Sequence, residues 1–377
     1  MSAAHLVLRK LFHDNDNKNS SKAVCPTENT QGPDIVPFVG NLTFHSFASI
    51  LSGACAAASL LIALTIIALH AINYSNPIQQ RQVIRIILLV PWVAIFAFLT
   101  VWQSGAGEYL VESLDFGCAI AISAFLLLLC DFVLSNKGSS DELFGEGASR
   151  RGQFRGESPV WLKRTWYLVL QFIPVSIIVW AATCITVATG IYCGASNSPH
   201  FAHIWISVIK MVSTIAAVLA VLKFYKRMKA HLAPHNVFLK FFAFKGIIGL
   251  NVLQTFIINI LVGNGTIAPS KYLTYHDIKT GLPSLILACE MPIFAALLFV
   301  AFPVSVYKGE QRGPAAGPLV ALVQTFDMRD LGSAFVRGPM RLLREQQWGM
   351  ERQSSFPLAA EEGLPPAGYG REGLVRV

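Results

Sequence analysis

FASILSGACAAASLLIALTIIALH, residues 47–70, contains no Asp, Glu, Lys or Arg. At about 1.5 Å of rise per helical residue, such a run covers the roughly 30 Å hydrocarbon core of a bilayer. One run of this kind can be the buried helix of a soluble protein. Here it opens a series of seven, at 46–70, 83–102, 114–134, 167–189, 204–222, 243–262 and 283–303. Seven in one chain, joined by short polar connections, exclude a soluble fold. Composition agrees. The chain of 377 residues is 53% hydrophobic and 14% charged, with a mean hydropathy of +0.51, whereas soluble domains carry about 25% charged residues. Disorder over most of the chain is excluded, because disordered chains are polar and charge-rich. Seven cysteines are too sparse for a disulfide framework. The expected fold is an all-α membrane protein of seven transmembrane helices spanning 46–303.

Orientation follows from the Lys/Arg bias. The net charge is +8, and its positions favour a membrane surface over nucleic acid. Arg81 and Arg85 flank the first connection. Lys137, Arg150, Arg151, Arg155, Lys163 and Arg164 lie in the third, and Lys223, Lys226, Arg227, Lys229 and Lys240 around the fifth. The second and fourth carry none, and the sixth only Lys271 and Lys279. The N-terminus is therefore expected outside or in a lumen, and the C-terminus in the cytosol. Trp102, Trp161, Trp166, Trp205, Tyr225 and Tyr307 stand where interfacial anchors are expected.

Residues 1–45 read as a polar outer segment rather than a signal peptide, because Arg9 and Lys10 interrupt its short apolar stretch. Glycosylation sequons begin at Asn19, Asn41 and Asn264 on the expected outer side. A fourth, at Asn73, faces inward and is expected to be silent. The connection 135–160 is Gly/Ser-rich and charged, the composition of a mobile loop. The tail, 304–377, begins with a linker at 310–318. Residues 327–350 then set Arg329, Arg337, Arg341 and Arg344 among leucines and Phe335. That pattern fits a basic amphipathic helix on anionic lipid, or, with Pro339 breaking it, a solvated tail.

No metalloprotease, hydrolase-elbow or phosphate-loop motif occurs, and no cofactor is expected. Nothing points to an enzyme. Cys25 and Cys193 share the outer side and are open to pairing or to remaining as thiols. His200 and His203 flank a polar connection, where a surface role competes with a metal pair.

Ionisable groups inside spans are costly, on the order of 3 kcal/mol on insertion scales. Lys210 in span five and Glu290 in span seven fall at similar depth and are expected to pair, either on a solute path or as a clamp between helices. Asn251, Gln254 and Thr255 share one face of span six by i, i+3, i+4 spacing and should face other helices or a wet cavity. Spans two, four and seven hold Pro91, Pro174 and Pro292; broken helices free backbone carbonyls and can mark transport sites.

Three stretches carry a resemblance. HAINYSNPIQQRQVIRIILLVPWVAI (70–95) holds Asn76, Pro77, Gln79, Gln80, Arg81, Arg85 and Pro91. KFYKRMKAHLAPHNVFLKFFAFKGIIGLNVLQTFIINIL (223–261) holds Phe224, Tyr225, Lys226, Leu232, Pro234, Lys240, Phe241, Lys245 and Gln254. GLPSLILACEMPIFAALLFVAF (281–302) holds Gly281, Leu282, Glu290 and Met291. In this order they resemble the organic solute transporter subunit alpha / transmembrane protein 184 family, over about residues 45–305. The chain departs from that pattern at Gly117-Cys118-Ala119, where the family has Tyr-Glu-Ala, at Leu134-Ser135-Asn136-Lys137, at Leu253, and at Val175-Ser176. It resembles a divergent member.

The resemblance implies seven spans with an outer N-terminus, which agrees with the charge bias. It also implies facilitated transport of amphipathic organic solutes such as steroid or lipid-like anions, with membrane lipid around it and an accessory single-span subunit or a second copy as partner. Lys210, Asn251, Gln254 and Glu290 are the expected path residues. Arg81, Arg85, Lys226, Arg227 and Lys240 are expected at anionic headgroups. The alternative is a seven-helix signalling receptor or membrane scaffold acting through its tail.

Overall fold

The structure, a computed structural model, describes residues 36–103, 106–134, 160–193, 199–263, 266–267, 269–274, 277–308 and 318–336. Seven helical spans cross it, each long and apolar enough for a bilayer: Phe44–Ile72, Pro77–Trp102, Tyr109–Leu134, Val160–Ala188, Ala202–Arg227, Val237–Ile258 and Leu282–Tyr307. The protein is a multi-pass, all-α membrane protein, as the apolar runs imply. Among the described residues the one β-type pairing is an isolated bridge between Val39 and Leu42.

Span one is α1 (Phe44–Ile72), begun by the Thr43 side chain, which accepts from the Ser46 amide at 3.3 Å. Span two is two helices, α2 (Pro77–Ile87) and α3 (Leu89–Trp102), and span four likewise α5 (Val160–Leu170) and α6 (Phe172–Ala188), with α4 (Gly107–Leu134) between them as span three. The breaks, at Leu88 and Gln171, each fall three residues before a proline, Pro91 and Pro174. Proline lacks the amide that would bond the carbonyl four residues back, and its ring crowds that carbonyl. Span five is α7 (Ala202–Arg227), span six α8 (Val237–Gly263) and span seven α9 (Leu282–Ala301), which keeps Pro292 inside a continuous helix.

Span three is the axis of the bundle. Its most apolar window is 89% buried, against 24% for span six. Lipid is as apolar as Leu, so helices associate through close packing of small residues. Ala119, Ala121 and Ala124 of span three are fully buried in this role. Spans two and four pack against span three; spans one and seven pack against span two, and span six against span seven. Span five rests on spans three and four.

The tail returns to the bundle. Helix α10 (Pro318–Phe326) packs against α1 and α2, and a further helical stretch covers 329–336. Residues 337–350 of the expected amphipathic segment, the loop 135–159, and Asn19, Asn264 and Cys25 lie outside the described residues. Cys193 is disulfide-bonded. Asn41 is exposed just ahead of α1. The Asn73 side chain is occupied at the other end of α1, donating to Leu69 O at 2.8 Å.

Candidate functional site

The expected Lys210–Glu290 pair does not form. Lys210 Nζ donates to both carboxylate oxygens of Glu112, at 2.9 and 3.1 Å, and lies 3.4 Å from Asp115 Oδ2. Both acids belong to span three. Adjacency explains this: span five packs against spans three and four, while span seven packs against spans one, two and six. Glu112 escaped notice because the apolar run starts at 114, whereas the helix begins at Gly107. Its i, i+3 spacing from Asp115 was the available signal, since it places both acids on one helix face.

Glu290 instead accepts a hydrogen bond from Gln254 Nε2. Gln254 Oε1 and Glu290 Oε2 are buried without a hydrogen-bond partner. The face of span six bearing Asn251, Gln254 and Thr255 is half-buried, while Val252, Leu253, Phe256 and Ile257 are exposed. The polar stripe thus turns toward the protein. One residue before Glu290, Cys289 Sγ lies 3.7 Å from Cys55 Sγ on span one.

Lys245, on the same helix as Gln254, has a buried ammonium with no hydrogen-bond partner. Asp115 and Cys118 of span three lie within Coulombic range of it. Four charged side chains, Glu112 and Asp115 against Lys210 and Lys245, are therefore grouped on and around span three. Beside them, spans two, three and four border an open-sided cavity of about 430 Å³, lined by Trp92, Phe96, Tyr109, Phe116 and Trp180. That is the size of small-molecule sites. Gly117 lets Trp92 approach: a Cβ there would stand 2.5 Å from the indole Cδ1. Trp92 Nε1 donates to Ser113 O at 2.8 Å.

The residues at 70–85 do different work from that expected. Asn76 caps α2, accepting from the Gln79 amide at 3.3 Å, with Pro77 in the first turn. Gln80 accepts from the Asn76 amide and donates to His70 O and Asn73 O, tying span one to span two. Arg85 is taken up within the protein rather than left free for headgroups. It is buried, and it donates to Thr325 O at 2.9 Å, to Asp327 O at 2.7 Å, and to both carboxylate oxygens of Asp330 at 2.7 and 2.8 Å. Arg81 stands 3.3 Å from Asp330. Trp166 is likewise no interfacial anchor; fully buried, it donates to Ala334 O at 2.8 Å. Pro234 lies in the turn before span six, where Asn236 takes a left-handed conformation at φ 48°. Lys240 donates to His235 O and lies over the Phe302 ring. Arg227 stacks on Trp161 at 4.4 Å. Of the basic rim, then, Arg81, Arg85, Lys240 and Arg227 are engaged within the protein. Among the described residues no group of three or more His, Cys, Asp or Glu is arranged to hold a metal.

Comparison with known proteins matches residues 48–307 to the family model described as Organic solute transporter Ostalpha. A transmembrane protein 184 homolog from Dictyostelium discoideum is 25% identical over 261 residues, 66% of this chain and 51% of that protein. Vacuole membrane protein hfl11 from Schizosaccharomyces pombe is 24% identical over 267 residues, 68% of this chain and 62% of that protein. The chain thus spans between about half and three fifths of the length of these curated relatives. No solved structure matches. The matched region reaches from Ala48, within span one, to the end of span seven, and stops short of α10 and Asp330. On that match the chain belongs to the organic solute transporter Ostalpha family.

Proposed function

We propose that the protein carries amphipathic organic anions, of steroid or lipid-like character, across its membrane down their gradient. The carrying observation is Lys245, a buried ammonium with no hydrogen-bond partner, beside Asp115 in a membrane span. An unpaired buried charge is expensive, and an anion arriving at Lys245 would offset that cost. The neighbouring Lys210–Glu112–Asp115 group holds the opposite charge in place. Aromatic rings around the nearby cavity suit the apolar body of such a solute. Lys210, Asn251, Gln254 and Glu290 line the remainder of the polar path. The weakly buried spans five and six leave apolar surface for lipid, or for the accessory subunit or second copy that the family resemblance implies.

The orientation in this reading keeps the N-terminus outside and the tail in the cytosol. The Lys/Arg bias supports it, as does the disulfide at Cys193 on the expected outer side, because disulfides persist in oxidising compartments. The receptor or scaffold alternative is weaker, because the described part of the tail is engaged in contacts with its own bundle.

The test is flux of a labelled sterol sulfate and a labelled fatty anion into proteoliposomes. Wild-type protein should pass anions in both directions, Lys245→Arg should retain flux, and Lys245→Met should lose at least tenfold while keeping its folded yield. No flux through wild type, or wild-type flux through Lys245→Met, would end this reading.

A further inference from the structure

Helix α10 divides its surface in two. Ala321 and Thr325 are fully buried against the bundle. Leu319, Val323 and Phe326 are exposed to 75%, 70% and 63%. The exposed three follow i, i+4, i+7 spacing, which forms one stripe along the helix. Nothing polar interrupts that stripe, and water would be a poor neighbour for it.

The depth of the helix follows from its anchors. Span two runs 26 residues from Pro77, about 39 Å of helix, so each end overshoots a 30 Å hydrocarbon core by roughly 4 to 5 Å. Arg85 lies eight residues in, with its Cα about 12 Å from the start of the span and roughly 7 Å inside the core edge. Its guanidinium, able to reach back toward the edge, grips Thr325 O and Asp327 O at the end of α10. Trp166 lies six residues into span four and holds Ala334 O. Both anchors place the tail alongside the spans, at the boundary between headgroups and acyl chains, where amphipathic helices lie in the membrane plane. Helix α10 itself packs against α1 and α2.

We infer that Pro318–Phe326 is an interfacial helix: its Leu319–Val323–Phe326 stripe is immersed in the acyl chains of the leaflet at the tail end of the bundle, and its other face is clipped to span two by Arg85. This apolar helix lies ahead of the basic segment 327–350 and makes a lipid contact of its own. Asp330 keeps the clip specific, since Arg85, Arg81 and Gln82 all converge on its carboxylate. The inference concerns lipid contact at α10 and holds whatever the protein carries.

The test places a nitroxide at Val323→Cys in the full-length chain, with Cys55, Cys118, Cys130, Cys184 and Cys289, the free cysteines among the described residues, replaced by alanine, in vesicles of phosphatidylcholine with anionic phosphatidylserine. Collision rates are read with dissolved oxygen, which concentrates in acyl chains, and with a water-soluble nickel chelate. Oxygen collisions should dominate at position 323, and the nickel chelate at Arg329→Cys, which is almost fully exposed and off the stripe. Leu319→Cys repeats the first measurement should Val323→Cys fold poorly. Dominance of the nickel chelate at 323 or 319 overturns the inference, because the stripe is then in water. Protection from both reagents also overturns it, because a protein surface, a second copy or a partner then covers the stripe.

Discussion

Lys210 on span five and Glu112 on span three are joined by two hydrogen bonds, at 2.9 and 3.1 Å, with Asp115 3.4 Å from the same ammonium. This group fixes span five to the central helix. It also leaves Glu290 to Gln254. Two polar contacts between different helix pairs thus replace the one that equal depth suggested.

Loss of Lys210 strands two acids in a span. Lys210→Met should therefore lower thermal stability in detergent, by up to about 3 kcal/mol, since breaking a buried pair costs in that range and Lys210 keeps a partly open side. Adding Glu112→Gln should restore part of the loss, because contacting residues couple. Adding Glu290→Gln should instead give an additive loss. Additivity with Glu112→Gln, or coupling with Glu290→Gln, would refute the pairing.

Lys245 is the converse case. Lys245 has no hydrogen-bond partner, and its burial outweighs the attraction of Asp115, so Lys245→Met should raise the melting temperature even as anion flux falls. Natural proteins retain such costs where function needs them. A lowered melting temperature would mean that Lys245 holds the fold.

Gly117 is needed for the approach of Trp92. A methyl group at 117 would overlap the indole ring, which is rigid and cannot yield at its tip. Gly117→Ala should push Trp92 from the Ser113 carbonyl and cost about 1 to 3 kcal/mol, as overpacking does. Trp92→Phe in the same chain should recover stability. Unfolding curves of the single and double variants measure both effects.

The spans were legible because burial in lipid imposes a long apolar run on each, and the charge bias alternates along the chain. The partners of their polar residues were not. Hydropathy reports depth along one helix but not which helix stands beside it, so Lys210 could be placed and still be matched to the wrong acid. Arg85 was harder. Its carboxylate partner, Asp330, lies 245 residues away, in a tail whose composition resembles a solvated segment. A lone arginine near a span end ordinarily marks headgroups, and only the return of the tail makes it a buried anchor. The capping pattern at 76–80, by contrast, was open to a local reading, because Asn-Pro before an apolar run is a helix-start signal.

That start can be weighed by substitution. Asn76→Ala removes the acceptor for the Gln79 amide and should cost about 1 kcal/mol. Gln80→Leu should cost more, because it leaves the His70 and Asn73 carbonyls and the Asn76 amide without their side-chain partner. Amide exchange at residues 70–80 should accelerate in both, and more in Gln80→Leu. Equal effects would show that the Gln80 bridge adds nothing to the cap.

Two titrations outside the spans should separate along the pH axis. Burial pushes the Asp330 carboxyl up, but the Arg85 hydrogen bonds and charge, with Arg81 and Gln82, outweigh it and hold the group below its ordinary value of 3.8. A depressed carboxylate contributes its full stabilisation above the unfolded value and loses it as pH falls through the folded one. Tail docking should therefore be indifferent to Asp330 between about pH 8 and 5 and loosen only below about pH 4. His235 lies in the turn between spans five and six, stacked on Phe132. Burial, and then the Lys240 charge, hold it below 6.5. There the unfolded turn takes up the proton first, so stability at 233–236 declines once pH drops below about 6.5. Amide protection, corrected for the intrinsic pH dependence of exchange and followed from about pH 8 to about pH 3, should fall at the turn first and at 318–336 last. A tail that loosens together with the turn near pH 6 would mean that Asp330 is not the group securing it.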